Sequence, residues 1–576
     1  MIEVVPPVGV AKVRRPTIFW DAVAILLVLG LIVFLAEAGR GLLEPLPGQG
    51  GQTVTLDPAE LPFYAARTTL RMLAALALSL LFTFTYATWA AKSQRAEVVL
   101  LPLLDILQSV PILGFISVTV VFFMSLAPGL TLGAEFAAVF AIFTSQAWNM
   151  AFSFYQSLRT VPEELQEAAR SFRLGAWMRF WRLEVPFAMP ALIWNTMMSM
   201  SGGWFFVVAA EAISVGDTDI ALPGIGSYIA LAIAARDLGA ILWAVAAMLL
   251  VILVYDQLLF RPLIAWADRF RFEQEGTGSP PRSWVLTTLR RSRLVRLATA
   301  PAAAVWRLAL SSPPAPRAPR RAPVRHAERQ RWRDRLWHGA ILALCLLALW
   351  RVGGFLAGGI SVGEVAHAGL LGLFTLLRVG VLIALASLIW VPIGVWIGLR
   401  PDLARIAQPV AQFLAAFPAN LLFPFAVSAI VAFRLNPDIW LSPLMILGTQ
   451  WYILFNVIAG AAAIPGDLRD VGASLRVRGK QWWRRIGLPA IFPYYVTGAI
   501  TASGGSWNAS IVAEIASWGD TRLVAHGLGA YIAQATAQGD EHRIVLGITV
   551  MSAFVVVINR LFWRPLYHYA EARFRS

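Results

Sequence analysis

VPEELQEAARSFRLGAWMRFWRLEVP, at residues 161–186, has a second copy at 464–489, IPGDLRDVGASLRVRGKQWWRRIGLP. Pro162 pairs with Pro465, Arg173 with Arg476 and Pro186 with Pro489, all at a constant offset of 303 positions. The register continues through Gly202 and Gly505, Trp204 and Trp507, and Glu211 and Glu514. Gly216-Asp217-Thr218 then matches Gly519-Asp520-Thr521, Gly226 matches Gly529, Tyr228 matches Tyr531, and Arg261-Pro262 matches Arg564-Pro565. Upstream, Arg71 and Pro111 pair with Arg378 and Pro418 at an offset of 307, which requires a four-residue deletion in the second copy. A register held across so many residue types marks a duplicated chain.

What surrounds the two copies is apolar. Of 576 residues, 58% are hydrophobic and only 14% charged, a balance that belongs in a bilayer rather than in water. Spanning-length runs are expected at 18–36, 68–91, 98–124, 134–157, 187–215 and 238–260, and again at 336–357, 374–399, 406–433, 439–463, 489–517 and 543–563. With no water in the hydrocarbon core to satisfy backbone groups, such runs are expected to be helices. The expected fold is therefore an all-α polytopic membrane protein of two six-helix repeats, about 12 spans. The corresponding domains are 1–272, a Pro- and Arg-rich linker at 273–334, and 335–576.

The net charge of +15 does not indicate nucleic acid, because Lys and Arg sit in short loops between apolar runs. Lys12, Arg14 and Arg15, then Lys92 and Arg95, the stretch Arg159 to Arg182, and Arg261, Arg269 and Arg271 fall in alternate loops. Arg331 to Arg335, Arg400 and Arg405, Arg469 to Arg485 and Arg573 repeat the scheme. By the positive-inside rule these loops and both termini are cytoplasmic, so the repeats run parallel. Arg14-Arg15 and Ala36-Glu37-Ala38 resemble parts of a cleaved signal, but the apolar stretch from Ile18 to Ala36 is longer than an h-region and reads as a first span. Within the linker, Trp284 to Leu310 mixes Trp, Leu and Val with Arg; it reads either as a solvated tether or as an amphipathic helix on an anionic leaflet. Cys345 stands alone, and six dispersed histidines without HExxH make no metal site.

The duplicated segment has the chemistry of a docking joint. Pro162 precedes a helix whose first turn holds Glu163 and Glu164, favourable at the positive end of the dipole. Ala168 and Ala169 allow close approach of a partner, while Arg170, Arg173 and Arg179 offer charge-assisted bonds to carboxylates. Glu167-Ala168-Ala169, a following Gly175, and Pro186 nineteen residues after the Glu resemble the signature of the permease subunits of bacterial binding-protein-dependent ABC importers. In that family the segment forms a coupling helix that docks in a groove of the ATPase subunit. The resemblance assigns this role to Glu163, Glu164, Glu167, Ala168, Ala169, Arg173 and Gly175, and in the second half to Asp467, Asp470, Val471, Gly472, Arg476 and Gly479. Arg173 and Arg476 stand where the family usually has Gly, which predicts an altered turn after the helix; Asp470-Val471-Gly472 is a weakened copy, which predicts unequal docking. The residues around 144–162 and 448–465 look most like the nitrate, sulfonate, taurine and bicarbonate branch.

No phosphate loop is present: Gly479-Lys480 is followed by Gln481. The resemblance therefore implies a transport subunit that is not itself an enzyme and binds no cofactor. Two partner ATPase subunits would use ATP and Mg, and a solute-binding protein would act outside an inner membrane. With both halves on one chain, a single copy suffices. Pathway candidates are the polar residues in the spans flanking each segment: Gln146, Trp148, Asn149, Asn195, Ser201 and Trp204, and Gln450, Trp451, Asn456, Ser506, Trp507 and Asn508. Trp204 and Trp507 could line a narrow route, but a Trp near mid-helix is more often a packing residue. Glu211 and Glu514 lie ~37 Å along their helices from Pro186 and Pro489, near the outer surface, and suit an outer gate or a structural role better than a proton site. A secondary transporter of two six-helix bundles is the competing reading; it needs intramembrane ionisable residues and no paired docking helices.

Overall fold

The computed structural model describes residues 54–109, 116–215, 218–270, 283–310, 327–519 and 521–574, with a few positions between 21 and 30. Lys12, Arg14, Arg15, Ala36-Glu37-Ala38, Pro111, Gly216, Asp217, Arg271, Asp520, the linker stretches 271–282 and 311–326, and most of the expected span at 18–36 lie outside the described residues. By their contacts the residues form two units. One contains 161–193 and 255–318 with the N-terminal residues to 37; the other contains 38–160, 194–254 and 319–576.

Helices cover most of the expected runs. Thr131–Arg159, Val185–Glu211 and Leu488–Ala513 occupy three of them. Among the described residues, five helices are long and apolar enough to cross a membrane, or seven if two bent pairs each count as one span. Those pairs correct the sequence reading. The expected span at 406–433 is broken between Val410–Ala416 and Ala419–Ala432 at an angle of 78°, and 439–463 between Pro437–Met445 and Gln450–Ala462 at 45°. Pro418 accounts for the first break, because its ring drives the preceding residue out of the α region, and Phe417 has φ −70° and ψ 125°.

Prolines also explain a repeated irregularity. Wide π-turns occur at Phe180–Glu184 and Trp483–Gly487, and at Asp256–Phe260 and Asn559–Trp563, matched pairs at the 303 offset. Each is followed at once by a proline two residues on: Pro186, Pro489, Pro262 or Pro565. Proline cannot donate to the carbonyl four residues back, and that carbonyl (Arg182, Arg485, Leu258 or Leu561) is the third residue of the π-turn in every case. The turn absorbs the lost bond while the helix continues.

The ends of two expected spans are not helical. Residues 212–215 and 218–221 form an antiparallel hairpin pairing Ala212 with Ala221, and 515–518 and 521–524 form its counterpart, pairing Ile515 with Val524. Each hairpin lies against the helix that follows the other: Leu528–Gln538 meets the first strand of one, and Ile225–Ala234 the first strand of the other. The tip of the second hairpin is bonded across the halves, Gly519 N donating to Ile233 O at 3.0 Å.

What positions these parts is a buried charge cluster, built twice. In the first half Arg71 Nε and Nη2 donate to the two oxygens of Glu135 at 2.6 and 2.7 Å, and its Nη1 reaches Glu211 Oε1 at 2.6 Å. Arg67 adds a second guanidinium on Glu135 at 2.6 Å, and Thr68 Oγ1 donates to Glu211 Oε1 at 2.7 Å. Glu211 in turn accepts from Gly226 N at 2.6 Å, while Thr68 accepts from Ile225 N at 3.0 Å, so two of the orphan amides that open helix Ile225–Ala234 are satisfied. In the second half Arg378 bonds Glu514 at 3.1 Å and Asp438 at 2.9 Å, Thr375 donates to Glu514 at 2.8 Å and accepts from Leu528 N at 2.9 Å, and Ala530 N donates to Glu514 at 3.0 Å. Asp438 thus stands in the place of Glu135 at the 303 offset, which puts the four-residue deletion between residues 111 and 135. Phe374 replaces Arg67, and His526 Nδ1 instead lies 3.0 Å from Asp438. The carboxylates rest on glycine: a Cβ on Gly224 would fall 2.4 Å from Glu211, and one on Gly527 2.2 Å from Glu514.

Glu211 is 0% and Glu514 1% exposed, so removing the paired arginine strands a buried charge. Arg71→Ala and Arg378→Ala are each expected to cost about 3–5 kcal/mol of stability, read as a lowered melting temperature of the solubilised protein. Thr375→Val, which removes one donor and one acceptor, is expected to cost about 1–3 kcal/mol.

Candidate coupling and translocation sites

In both halves the duplicated segment folds into the same motif. Pro162 and Pro465 are the N-caps of helices Glu163–Ser171 and Gly466–Ser474. Gln166 Nε2 donates back to Val161 O at 3.0 Å, and its counterpart Arg469 donates to Ile464 O at 3.0 Å, so two different side chains tie down the same turn. Each helix then ends in a left-handed residue, Arg173 at φ 51° and Arg476 at φ 54°. Leu174 N donates to Ala169 O at 3.0 Å and Val477 N to Gly472 O at 2.8 Å, the six-to-one bond of a Schellman cap. The arginines thus adopt the left-handed conformation that glycine favours, at a cost of roughly 1–2 kcal/mol each.

Ala169 and Gly472 face inward and are buried, while Glu163, Glu164, Glu167, Ala168 and Arg173, and Asp467, Asp470, Val471 and Arg476, are exposed. Gly175 is half-buried as the N-cap of the next short helix, and Gly479 is exposed at φ 55°. The most exposed large apolar group of each segment was missed in the sequence: Phe172 is 78% and Leu475 71% exposed, one position before the left-handed arginine in each copy. Exposure of a bulky apolar residue at the same place in both copies is the available signal, and it needs the three-dimensional fold to be seen. Each segment thus presents an acid, a small or β-branched residue, an apolar knob and an arginine: Glu167, Ala168, Phe172 and Arg173 in one, Asp470, Val471, Leu475 and Arg476 in the other.

The pathway candidates are mostly committed to helix packing. Gln146 is fully buried, its Nε2 3.1 Å from Met72 Sδ and its Oε1 accepting from Ser79 at 3.4 Å. Asn149 Nδ2 donates to Ser199 Oγ at 3.0 Å, and Asn195 Nδ2 to Ser153 Oγ at 2.8 Å. Trp148 packs edge-on to Phe82, Ser201 donates to Met197 O, and Trp204 is buried. In the second half Gln450 accepts from Trp390 Nε1 at 2.8 Å, Trp451 packs on Trp390, Asn456 donates to Tyr452 O, and Ser506 shares a 2.9 Å hydrogen bond with Thr449. Trp507 stacks on Phe554, and Asn508 donates to Gly504 O at 3.2 Å. Glu211 and Glu514 belong to the charge clusters. A polar group facing across the halves is Tyr452, whose hydroxyl would lie 2.8 Å from a Cβ on Gly202. Among the described residues no group of His, Cys, Asp and Glu could hold a metal ion.

Residues 84–260 and 390–576 both match the family described as the binding-protein-dependent transport system inner membrane component. Among curated relatives, the bicarbonate transport system permease protein CmpB of Synechococcus elongatus is 31% identical over 186 residues, which are 32% of this chain and 64% of that protein. The nitrate import permease protein NrtB of Leptolyngbya laminosa is 27% identical over 187 residues, 32% of this chain and 63% of its own length. The glycine betaine/carnitine transport permease protein GbuB of Listeria monocytogenes is 27% identical over 171 residues, 30% of this chain and 55% of its own. The chain thus spans less than two thirds of the length of each of these relatives.

If the left-handed arginines are kept for their charge, Arg173→Gly and Arg476→Gly relieve backbone strain. Each is expected to hold or raise stability, by up to about 1 kcal/mol, in thermal unfolding of the purified protein; a fall in melting temperature would assign the side chains a structural role.

Proposed function

The chain belongs to the family of binding-protein-dependent transport system inner membrane components, and from that premise we propose that it is the membrane-spanning permease of an ATP-driven importer, with both permease units on one polypeptide. The observation that carries this reading is the recurrence of one exposed motif, acid, small or β-branched residue, apolar knob and left-handed arginine, after the fourth expected span of each half. Two soluble ATPase subunits dock on these segments. Their closure on ATP pulls the segments and the spans that follow, and access to the solute alternates between the two sides.

The apolar knob is the anchor of each joint, since an interface draws most of its affinity from a few well-buried large side chains ringed by polar groups. Glu167 and Asp470 and the two arginines fix its orientation by charge. Docking is unequal because Phe172 offers an aromatic ring where Leu475 offers an aliphatic branch, and Ala168 permits closer approach than Val471. Similarity to the bicarbonate and nitrate permeases favours a small polar, anionic solute delivered by an external binding protein. A solute would pass between the halves near Tyr452 and Gly202, with the crossed hairpins and their charge clusters closing the outer end. Localisation is a bacterial inner membrane with both termini in the cytoplasm.

Ion-coupled transport is the less favoured reading. Glu135, Glu211 and Glu514 are all held by arginine at 3.1 Å or less, which disfavours the proton exchange such a carrier requires.

Phe172→Ala with Leu475→Ala is expected to weaken binding of the ATPase subunits to the purified chain by about thirtyfold or more at each joint, for a loss of at least ~2 kcal/mol per anchor, with membrane insertion unchanged. Glu167→Lys with Asp470→Lys should act in the same direction. Sustained solute accumulation in proteoliposomes driven by a proton or sodium gradient, without any ATPase, would overturn the proposal.

A further inference from the structure

The linker carries a surface that the transport reading leaves unused. Two helices, Trp284–Arg291 and Arg293–Leu310, occupy it within the smaller unit. Ser283 caps the first, its hydroxyl accepting from Leu286 N at 3.2 Å. Val285 and Thr288 are buried where this helix packs against Arg261–Ala267. The latter is the tail of the apolar helix Leu238–Phe270, which at ~1.5 Å per residue runs to about 50 Å and so projects past a ~30 Å hydrocarbon core into the headgroup region. Arg269 lies over the rings of Trp266 and Phe270, at 4.9 and 4.8 Å, as expected of an interfacial belt.

The second helix is fastened from a distance. Asp21, at the start of the first expected span, accepts at Oδ1 from Ser292 Oγ at 2.6 Å, from Arg293 N at 2.7 Å and from Leu294 N at 3.3 Å, and so caps a helix some 270 residues away in sequence. Both linker helices are thereby tied to the apolar runs that flank them, one to the tail of helix Leu238–Phe270 and the other to Asp21. Along Arg293–Leu310 the positions 294, 297, 301, 305 and 308 follow a three-and-four spacing and share one face. Leu294, Leu297, Val305 and Leu308 on that face are 44%, 75%, 67% and 76% exposed. From Arg282 to Leu310 the sequence has six arginines and no Asp or Glu.

We propose that Arg293–Leu310, with Trp284–Arg291, is an in-plane membrane anchor: its Leu and Val stripe enters the acyl boundary of the anionic leaflet, and its arginines bind the phosphates of acidic phospholipids. Charge and tethering select this occupant. A wholly basic, leucine-lined helix held beside the tail of a membrane-spanning helix meets an anionic bilayer without leaving its neighbourhood, whereas a soluble partner would have to cover an exposed apolar stripe and supply acids along its whole length.

The test uses the full chain in lipid nanodiscs, on a Cys345→Ser background, with single cysteines introduced as Leu297→Cys, Val305→Cys or, on the opposite face, Thr299→Cys, each carrying an environment-sensitive fluorophore. In phosphatidylglycerol-containing discs, the probes at 297 and 305 should emit at shorter wavelength and be quenched by doxyl-labelled lipid several-fold more than the probe at 299. Arg290→Gln with Arg293→Gln, or raised salt, should reduce that difference. Equal quenching at all three positions overturns the anchor, and equal quenching in phosphatidylcholine and phosphatidylglycerol overturns the anionic-lipid assignment. Protection of 297 and 305 that appears only when ATPase subunits are added, without lipid quenching, gives the stripe to a protein partner and also overturns it.

Discussion

A guanidinium taken out of water must keep its charge and find carboxylates to meet it, and in each half of this protein one arginine does so for three segments at once. Arg71 gathers helix Leu61–Phe82, helix Thr131–Arg159 through Glu135, and the end of Val185–Glu211 through Glu211. Arg378 gathers the corresponding parts through Asp438 and Glu514. Such clusters contribute little net stability, since desolvation offsets most of the attraction, but every alternative packing leaves a buried charge unpaired. Their effect is to specify one arrangement: the glutamate that ends the long helix also caps the next one, and the hairpin between them is fixed in place.

The two copies have diverged where the constraint is weakest. The first cluster balances two arginines against two glutamates inside the protein. In the second, Phe374 replaces the additional arginine, and Asp438 is exposed enough to be partly solvated and to meet His526. The duplicated segments at 161–186 and 464–489 show the opposite pattern. Their backbone is retained to the left-handed residue while the side chains on their surface differ.

Prolines and glycines set the shape of the helices between these fixed points. Four π-turns absorb the hydrogen bond that a proline removes, and Pro418 bends a run that composition alone reads as one straight span. Continuous helices and broken ones are equally apolar, so hydropathy does not separate them; the position of the missing donor does.

Much of this protein was legible in the chain itself. Duplication, apolar runs and the paired segments all follow from local patterns or from a fixed offset, and the family model matches both copies. Gln146, Trp204 and the other pathway candidates were picked out as polar or aromatic residues within apolar runs, but a periodic pattern could not say whether they face a route or a neighbouring helix, and the structure commits most of them to contacts between helices. Glu135, Asp438, Thr68 and Thr375 were not recognised, because their partners lie 60 to 157 positions away and no local spacing links them. The exposed Phe172 and Leu475, the left-handed arginines, the crossed hairpins and the Asp21 cap belong to the same class. Sequence determines which residues prefer lipid, water or a turn, since those preferences act over a few positions. Which charge meets which across the bundle depends on how whole helices pack, and only the tertiary structure decides it.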